Sequence, residues 1–187
     1  RYTIKVDSTY YIPGQFWLRK FNLKMDSILV ETEIVDSSYF MMEGLEAIYD
    51  SDSTFLVSGF AGKLNPPGVF KSEAFVSRFD KNFNVKWRTF ILDSIQDISF
   101  GNRGEYLHTD AYNGVIGSGY FYGLSSPRQG FTARLNQETG ELHWIKQFEN
   151  PNGILRMATI DHGDGTYRFI MSESTHKEGE LLYRSKL

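Results

Sequence analysis

Apolar and polar positions alternate with a period of two along most of this chain. In Glu141–Phe148 (ELHWIKQF), Leu142, Trp144 and Lys146 fall on one face and His143, Ile145 and Gln147 on the other. Val85–Ile91 (VKWRTFI) is equally dense in β-branched and aromatic residues. This period and composition suit pleated strands, and amphipathic stretches of helical length are missing. Turn signals separate the runs: Asn113-Gly114, Thr139-Gly140, Asn152-Gly153 and Asp164-Gly165. Their Asn and Gly residues accept the positive φ that tight hairpins need. Pro66-Pro67-Gly68 marks a long connection that strands cannot enter.

Two landmarks recur in the same order. Phe16–Leu29 (FWLRKFNLKMDSIL), Phe75–Trp87 (FVSRFDKNFNVKW) and Phe131–Trp144 (FTARLNQETGELHW) align, and Leu181–Leu187 (LLYRSKL) resembles their start. Each places an arginine after an aromatic or leucine and two residues; Arg19, Arg78, Arg134 and Arg184 are spaced by 59, 56 and 50 positions. A second series precedes them: FLVSGF (Phe55–Phe60), VIGSGY (Val115–Tyr120) and, more loosely, FIMSES (Phe169–Ser174). Repetition at a fixed period marks a repeat architecture. One unit is predicted to run Leu45–Tyr49, Thr54–Phe60, Ala74–Phe79, Val85–Ile91, and the next Glu105–Thr109, Gly114–Phe121, Gly130–Leu135, Glu141–Phe148. The N-terminal segment supplies about three strands (Tyr2–Val6, Phe16–Phe21, Ile28–Ile34), and the C-terminal segment Ile154–Ile160, Tyr167–Ser172 and Glu180–Arg184. Four-stranded antiparallel meanders of this kind are the blades of β-propellers. The expected fold is all-β, a propeller arc of two whole blades (residues 41–92 and 93–149) between two partial ones (1–40 and 150–187), in one repeat region over 1–187. The chain is expected to be a piece of a longer protein.

Ala133–Trp144 (ARLNQETGELHW) resembles the repeat of the PQQ-like, quinoprotein-type propellers, with Asn136 in place of an Asp. Closer is the likeness to long β-propeller repeat proteins secreted by Bacteroidota. It rests on Asp50–Phe60 (DSDSTFLVSGF) with Glu73–Phe90 (EAFVSRFDKNFNVKWRTF), and on Gly114–Gly123 (GVIGSGYFYG) with Gly130–Phe148 (GFTARLNQETGELHWIKQF). Arg stands where that family often has Lys. The resemblance implies an extracellular or cell-surface protein exported by the type IX route.

Composition narrows the chemistry. With 20 Lys plus Arg against 23 Asp plus Glu the net charge is −3, which argues against a nucleic-acid partner. The lack of cysteine excludes a disulfide scaffold, a thiol nucleophile and a Cys-held metal. No apolar run approaches the roughly 18 residues of a membrane helix. AIYDSDST (Ala47–Thr54) matches the D-x-D-x-T of haloacid-dehalogenase-type phosphotransferases, with Asp50 as nucleophile and Asp52 as acid/base, but a strand follows where that fold needs a helix. It reads as the same inter-strand turn as Asp110–Gly114 and Asp161–Gly165. Asp161 and Asp164 lack the bidentate Glu of a calcium loop. His108, His143, His162 and His176 have no metal or catalytic spacing and are expected to be solvated. No cofactor is expected.

The repeated arginines read as structural ion pairs or as stems covering apolar surface. Trp87 and Trp144 read as packing residues between sheets. Aromatics in the connections, Tyr39 and Phe40, Phe70, and Tyr120, Phe121 and Tyr122, are the candidates for partner or glycan contact, the alternative being burial against the remaining blades of the ring. The expected function is non-enzymatic, a secreted or surface scaffold in a larger assembly that binds protein or polysaccharide through its edge loops. The competing reading is an enzyme domain, a quinoprotein-type oxidoreductase or a hydrolase, with a funnel site across blades. A third is ring closure by further copies of the chain.

Overall fold

Alternation builds two-faced strands, and the sheet at the centre of this chain buries both of its faces. The structure, a computed structural model, describes residues 4–6, 9–11, 14–21, 24, 26–39, 41–51, 53–65, 69–91, 103–121, 129–148, 154–177 and 180–186. Every regular element among them is a strand, and every pairing is antiparallel between chain neighbours. β1 (Ile4–Val6) pairs β2 (Thr9–Tyr11), and β3 (Gly14–Phe21) pairs β4 (Ile28–Asp36). A four-stranded meander follows: β5 (Met41–Tyr49), β6 (Thr54–Asn65), β7 (Val69–Asp80) and β8 (Val85–Ile91). A second comprises β9 (Arg103–Thr109), β10 (Gly114–Phe121), β11 (Gln129–Asn136) and β12 (Leu142–Phe148). β13 (Ile154–Asp161), β14 (Tyr167–Lys177) and β15 (Glu180–Lys186) form a three-stranded sheet.

The two central meanders contain the eight predicted strands to within one residue, but β6 and β7 run on to Asn65 and from Val69, so the connection expected to be long is only residues 66–68; the N-terminal segment also differs. Ile4–Val6 does not join β3; it folds onto Thr9–Tyr11, a strand the alternation pattern passed over because it is only three residues long. The fourth arginine also leaves the series. In backbone register Arg184 faces Glu173, towards the far end of β14, whereas Arg78 and Arg134 face Leu56 and Ile116 close to a hairpin turn.

Consecutive sheets stack. β9 lies against β5, β6 and β7; β13 lies against β9, β10 and β11; β3 lies against β5. One face of β5–β8 (Leu56, Ala74, Val76, Ile91) meets Leu107, Val115, Phe131, Ala133 and Leu135 of the next sheet. The other face (Val57, Phe75, Phe79) meets Ile34, Phe16 and Leu18. Phe75, Phe79 and Phe131 are wholly buried, each contributing about 2 kcal/mol of hydrophobic stabilisation. The joint between β9–β12 and β13–β15 includes a polar cluster among its described residues. There the hydroxyls of Ser118, Thr132 and Thr159 hydrogen-bond one another at 2.8–3.0 Å in full burial.

The meander topology gives every sheet the same two ends. One end carries the turns β5–β6, β7–β8, β9–β10, β11–β12 and β13–β14. The other carries the β6–β7 and β10–β11 connections.

Candidate functional site

At the first of these ends the two sequence series meet. Asp50 and Asp110 occupy equivalent five-residue turns: the Asp50 amide donates to the Thr54 carbonyl and the Asp110 amide to the Gly114 carbonyl. Arg78 and Arg134 reach these aspartates from the third strand of the same sheet. Arg78 Nε lies 2.7 Å from Asp50 Oδ2 and Arg134 Nε 2.6 Å from Asp110 Oδ2, with both carboxylates fully covered. Each arginine faces a tryptophan across the next strand pair, Arg78 opposite Trp87 and Arg134 opposite Trp144, and a β-bulge follows each. Recurring acidic turn and recurring arginine are thus two halves of one device that ties the first hairpin to the third strand. Arg19 differs: its partner is the cross-strand Glu31, and both are partly exposed.

Asp110 is the most heavily engaged. It accepts from Arg134, from the Tyr112 and Gly114 amides at 2.8 and 2.7 Å, and from the Tyr167 hydroxyl at 2.9 Å. Only glycine fits at position 114, where a Cβ would lie 2.2 Å from Asp110 Oδ2. Burial alone pushes the Asp110 carboxyl up, but these donors outweigh it and hold the pKa at about 2. An unfolded aspartate titrates near 3.9. The folded state therefore binds fewer protons between these values, so this stabilisation is complete above roughly pH 5 and is lost as pH falls through about 4 to 2. Asp110→Asn is expected to remove this acid-dependent component, about 2.5 kcal/mol, from urea-unfolding free energies compared at pH 2 and pH 6.

Of the partner-contact residues expected from sequence, the described ones lie towards the other end. Tyr39 and Tyr120 are buried, with 4 % and 5 % exposure, so neither ring is presented to solvent. Tyr39 is held because its hydroxyl donates to the buried Glu73 at 2.7 Å, its ring stacks on Phe90, and Lys63 Nζ sits 4.5 Å above that ring. Phe40 and Tyr122 lie outside the described residues. Phe70 and Phe121 are described in backbone alone, paired with Leu64 in β6–β7 and with Gln129 in β10–β11. Tyr39→Phe should cost about 2 kcal/mol, the worth of a buried hydrogen bond to a carboxylate, and lower Tm by several degrees in calorimetry.

Exposed apolar side chains instead gather around the turn end. Tyr49 (84 % exposed) ends β5, Tyr112 (52 %) lies in the β9–β10 turn, and Ile160 is the penultimate residue of β13. Val85 and Leu142 begin β8 and β12, just after their turns. Ile28, Leu29 and Val30 begin β4, whose opposite end approaches β8 through the Arg88–Asp36 pair. Beside these residues stand Asp80, Asp161 and Asp164, whose carboxylates accept amides of their own turns.

A cleft of about 210 Å³ lies between β3 and β5, lined by Phe16, Trp17, Leu18, Gly44–Ala47 and Val57. It is smaller than the usual 300–1,000 Å³ of a small-molecule site. Glu46 and His108, both half-buried, have shifted pKa values. Burial pushes the Glu46 carboxyl up, against the Leu107 amide that donates to it. Burial pushes the His108 imidazole down, against Asp161 and Asp110. His108 is therefore not solvated as expected; its Nε2 is buried without a partner. Glu46 faces β9 in one joint and His108 faces Asp161 in the next, so they do not converge. Among the described residues no group of three or more His, Asp or Glu could hold a metal ion. No protein family and no curated protein matches the chain.

Proposed function

We propose that the chain is an arc of a β-propeller and acts as a non-enzymatic scaffold, binding a protein or polysaccharide through the turns at one end of its sheets. In this reading β5–β8 and β9–β12 are whole blades, and β3–β4 and β13–β15 are partial ones. Support for the arc comes from antiparallel meanders stacked in chain order, each leading strand packed on the preceding sheet, with the Asp–Arg–Trp set repeated at one register. Secretion and surface exposure follow from the resemblance to the Bacteroidota repeat proteins.

One observation carries the binding reading: the turn end is rimmed by exposed apolar side chains, led by Tyr49 and Tyr112. Side chains of this size on solvent-facing turns mark interaction surfaces, and rigid sheets below leave such turns free to vary. The test is a Tyr49→Ala/Tyr112→Ala double variant, compared with the parent by retardation in gels containing candidate polysaccharides and by co-purification with surface proteins. Retention by the parent and its loss in the double variant is the expected result, with a folded chain whose Tm falls only slightly, since Tyr112 gives up one exposed hydrogen bond to the Gly163 carbonyl. Equal retention of both would place binding elsewhere.

A further inference from the structure

The two joints that flank β9–β12 differ at matched positions, and register fixes the match. Ile48 opposite Leu56 corresponds to His108 opposite Ile116, and Val76 opposite Ser58 corresponds to Thr132 opposite Ser118. In the joint with β5–β8, Ile48 and Val76 pack in one apolar cluster. The joint with β13–β15 has His108 and Thr132 in their places, and Thr132 shares hydrogen bonds with Ser118 and Thr159.

Every hydroxyl of that triangle has a partner, whereas the histidine ring does not. Leu107 packs against β5–β8, so His108, one residue on, points the other way, into the joint with β13–β15. Its Nε2 is buried and meets no hydrogen-bond partner. The charged groups around it are already engaged. Asp161, at the end of β13, accepts the Ala111 and Gly163 amides at 3.1 and 2.9 Å. Asp110, in the turn after β9, accepts from Arg134 of β11 and from the Tyr167 hydroxyl of β14. Arg134 also donates to the Tyr112 carbonyl and to His143. In this row β10 presents only Ile116, and Arg168 of β14 is exposed opposite Ile160. A neutral imidazole tolerates this setting. An imidazolium carries N–H on both nitrogens, so Nε2 becomes a charged donor that nothing in the closed joint receives.

We propose that His108 makes the joint between β9–β12 and β13–β15 an acid-sensitive hinge: a proton on its ring opens this joint and frees β13–β15, while the joint with β5–β8 stays closed. Two contacts clasp the joint at its turn end, the Ala111 amide on Asp161 and the Tyr112 hydroxyl on the Gly163 carbonyl. Opening releases them and gives the imidazolium water and a freed carboxylate. The sign follows from burial, which outweighs Asp161 and Asp110 and pushes the His108 pKa down. An uncovered imidazole titrates near 6.5, so the open state binds more protons below that value and closure weakens as the pH falls through it. The Asp110 contribution is lost only in stronger acid, so the two windows are separate. Glu46, in the other joint, has the opposite sign: burial pushes its carboxyl up, so acid steadies that joint. The inference does not depend on what binds at the turn rim.

The test is backbone hydrogen exchange of the whole chain at pH 7.5 and 5.5, corrected for intrinsic exchange chemistry. The expected result is about a three- to tenfold rise in opening of β13 and β14 at the lower pH, with no rise in β6 and β7. About tenfold is the ceiling for one proton taken up one pH unit below 6.5. His108→Ile, which installs the residue of the matched position, should abolish the rise; His108→Gln serves if the isoleucine variant does not fold. No rise, a rise common to all sheets, or a rise that survives in the folded variant would overturn the hinge. So would an imidazole NMR titration of the parent chain that places His108 at or above the ordinary value of about 6.5.

Discussion

Replacing Asp110 by alanine is expected to lower the unfolding free energy by about 3–5 kcal/mol, as loss of one partner of a buried ion pair does. The substitution leaves Arg134, with only 14 % of its side chain exposed, without its carboxylate. It also strips the Tyr112 and Gly114 amides and the Tyr167 hydroxyl of their acceptor. Urea unfolding should show a lower midpoint with an unchanged slope. A loss under about 1 kcal/mol would mean that the pair behaves like an exposed salt bridge and that the repeated device is ornamental. Asp50→Ala provides the comparison. Arg78 retains Glu138 from the neighbouring sheet, so the loss there should be smaller. The Glu138→Gln/Asp50→Ala double variant should then exceed the sum of the two singles, because only together do they strand the arginine.

Much of this arrangement was legible in the sequence, but in separate pieces. Period-two alternation located the strands of both central meanders, since each strand is flanked by turn residues with no helical alternative. Both members of each ion pair were visible as recurring landmarks, the aspartates as turns and the arginines as a register mark. Their union was not, because it spans 28 positions at Asp50 and Arg78 and is made by the third strand returning beside the first turn. Burial misled in both directions. Tyr39 sits in a connection, where an aromatic side chain suggests contact with a partner, yet Glu73 in β7 supplies an acceptor that draws it inside. Tyr49 looks like the last apolar residue of a strand, yet it ends β5 at the rim where the next sheet no longer covers it. His108 was hidden similarly, since nothing local announces that Asp161 will lie across the joint.

Gly140→Ala is expected to cost about 2–4 kcal/mol, and its companion substitution shows why. Gly140 has φ of +73°, and a Cβ there would lie 2.6 Å from Cδ2 and Cε3 of Trp87 and 3.0 Å from Thr89 Oγ1. The indole cannot retreat cheaply: its N–H donates to Gln137 and its ring packs on the core cluster of Leu56, Val76 and Ile91. Gly163 shares the backbone conformation, with φ of +76°, but a Cβ there would meet nothing within 4 Å. Gly163→Ala should therefore cost only the left-handed backbone penalty, about 1 kcal/mol. The difference isolates the contact between turn and neighbouring sheet, which is overpacking against a fixed ring. In a Trp87→Leu background the two alanine substitutions should become nearly equal, because removing the indole opens the space that the Cβ needs. If they are already equal in the parent chain by chemical denaturation, the turn does not clasp Trp87, and its hold on the preceding sheet rests on the Arg78–Glu138 pair and the Thr89 hydroxyl.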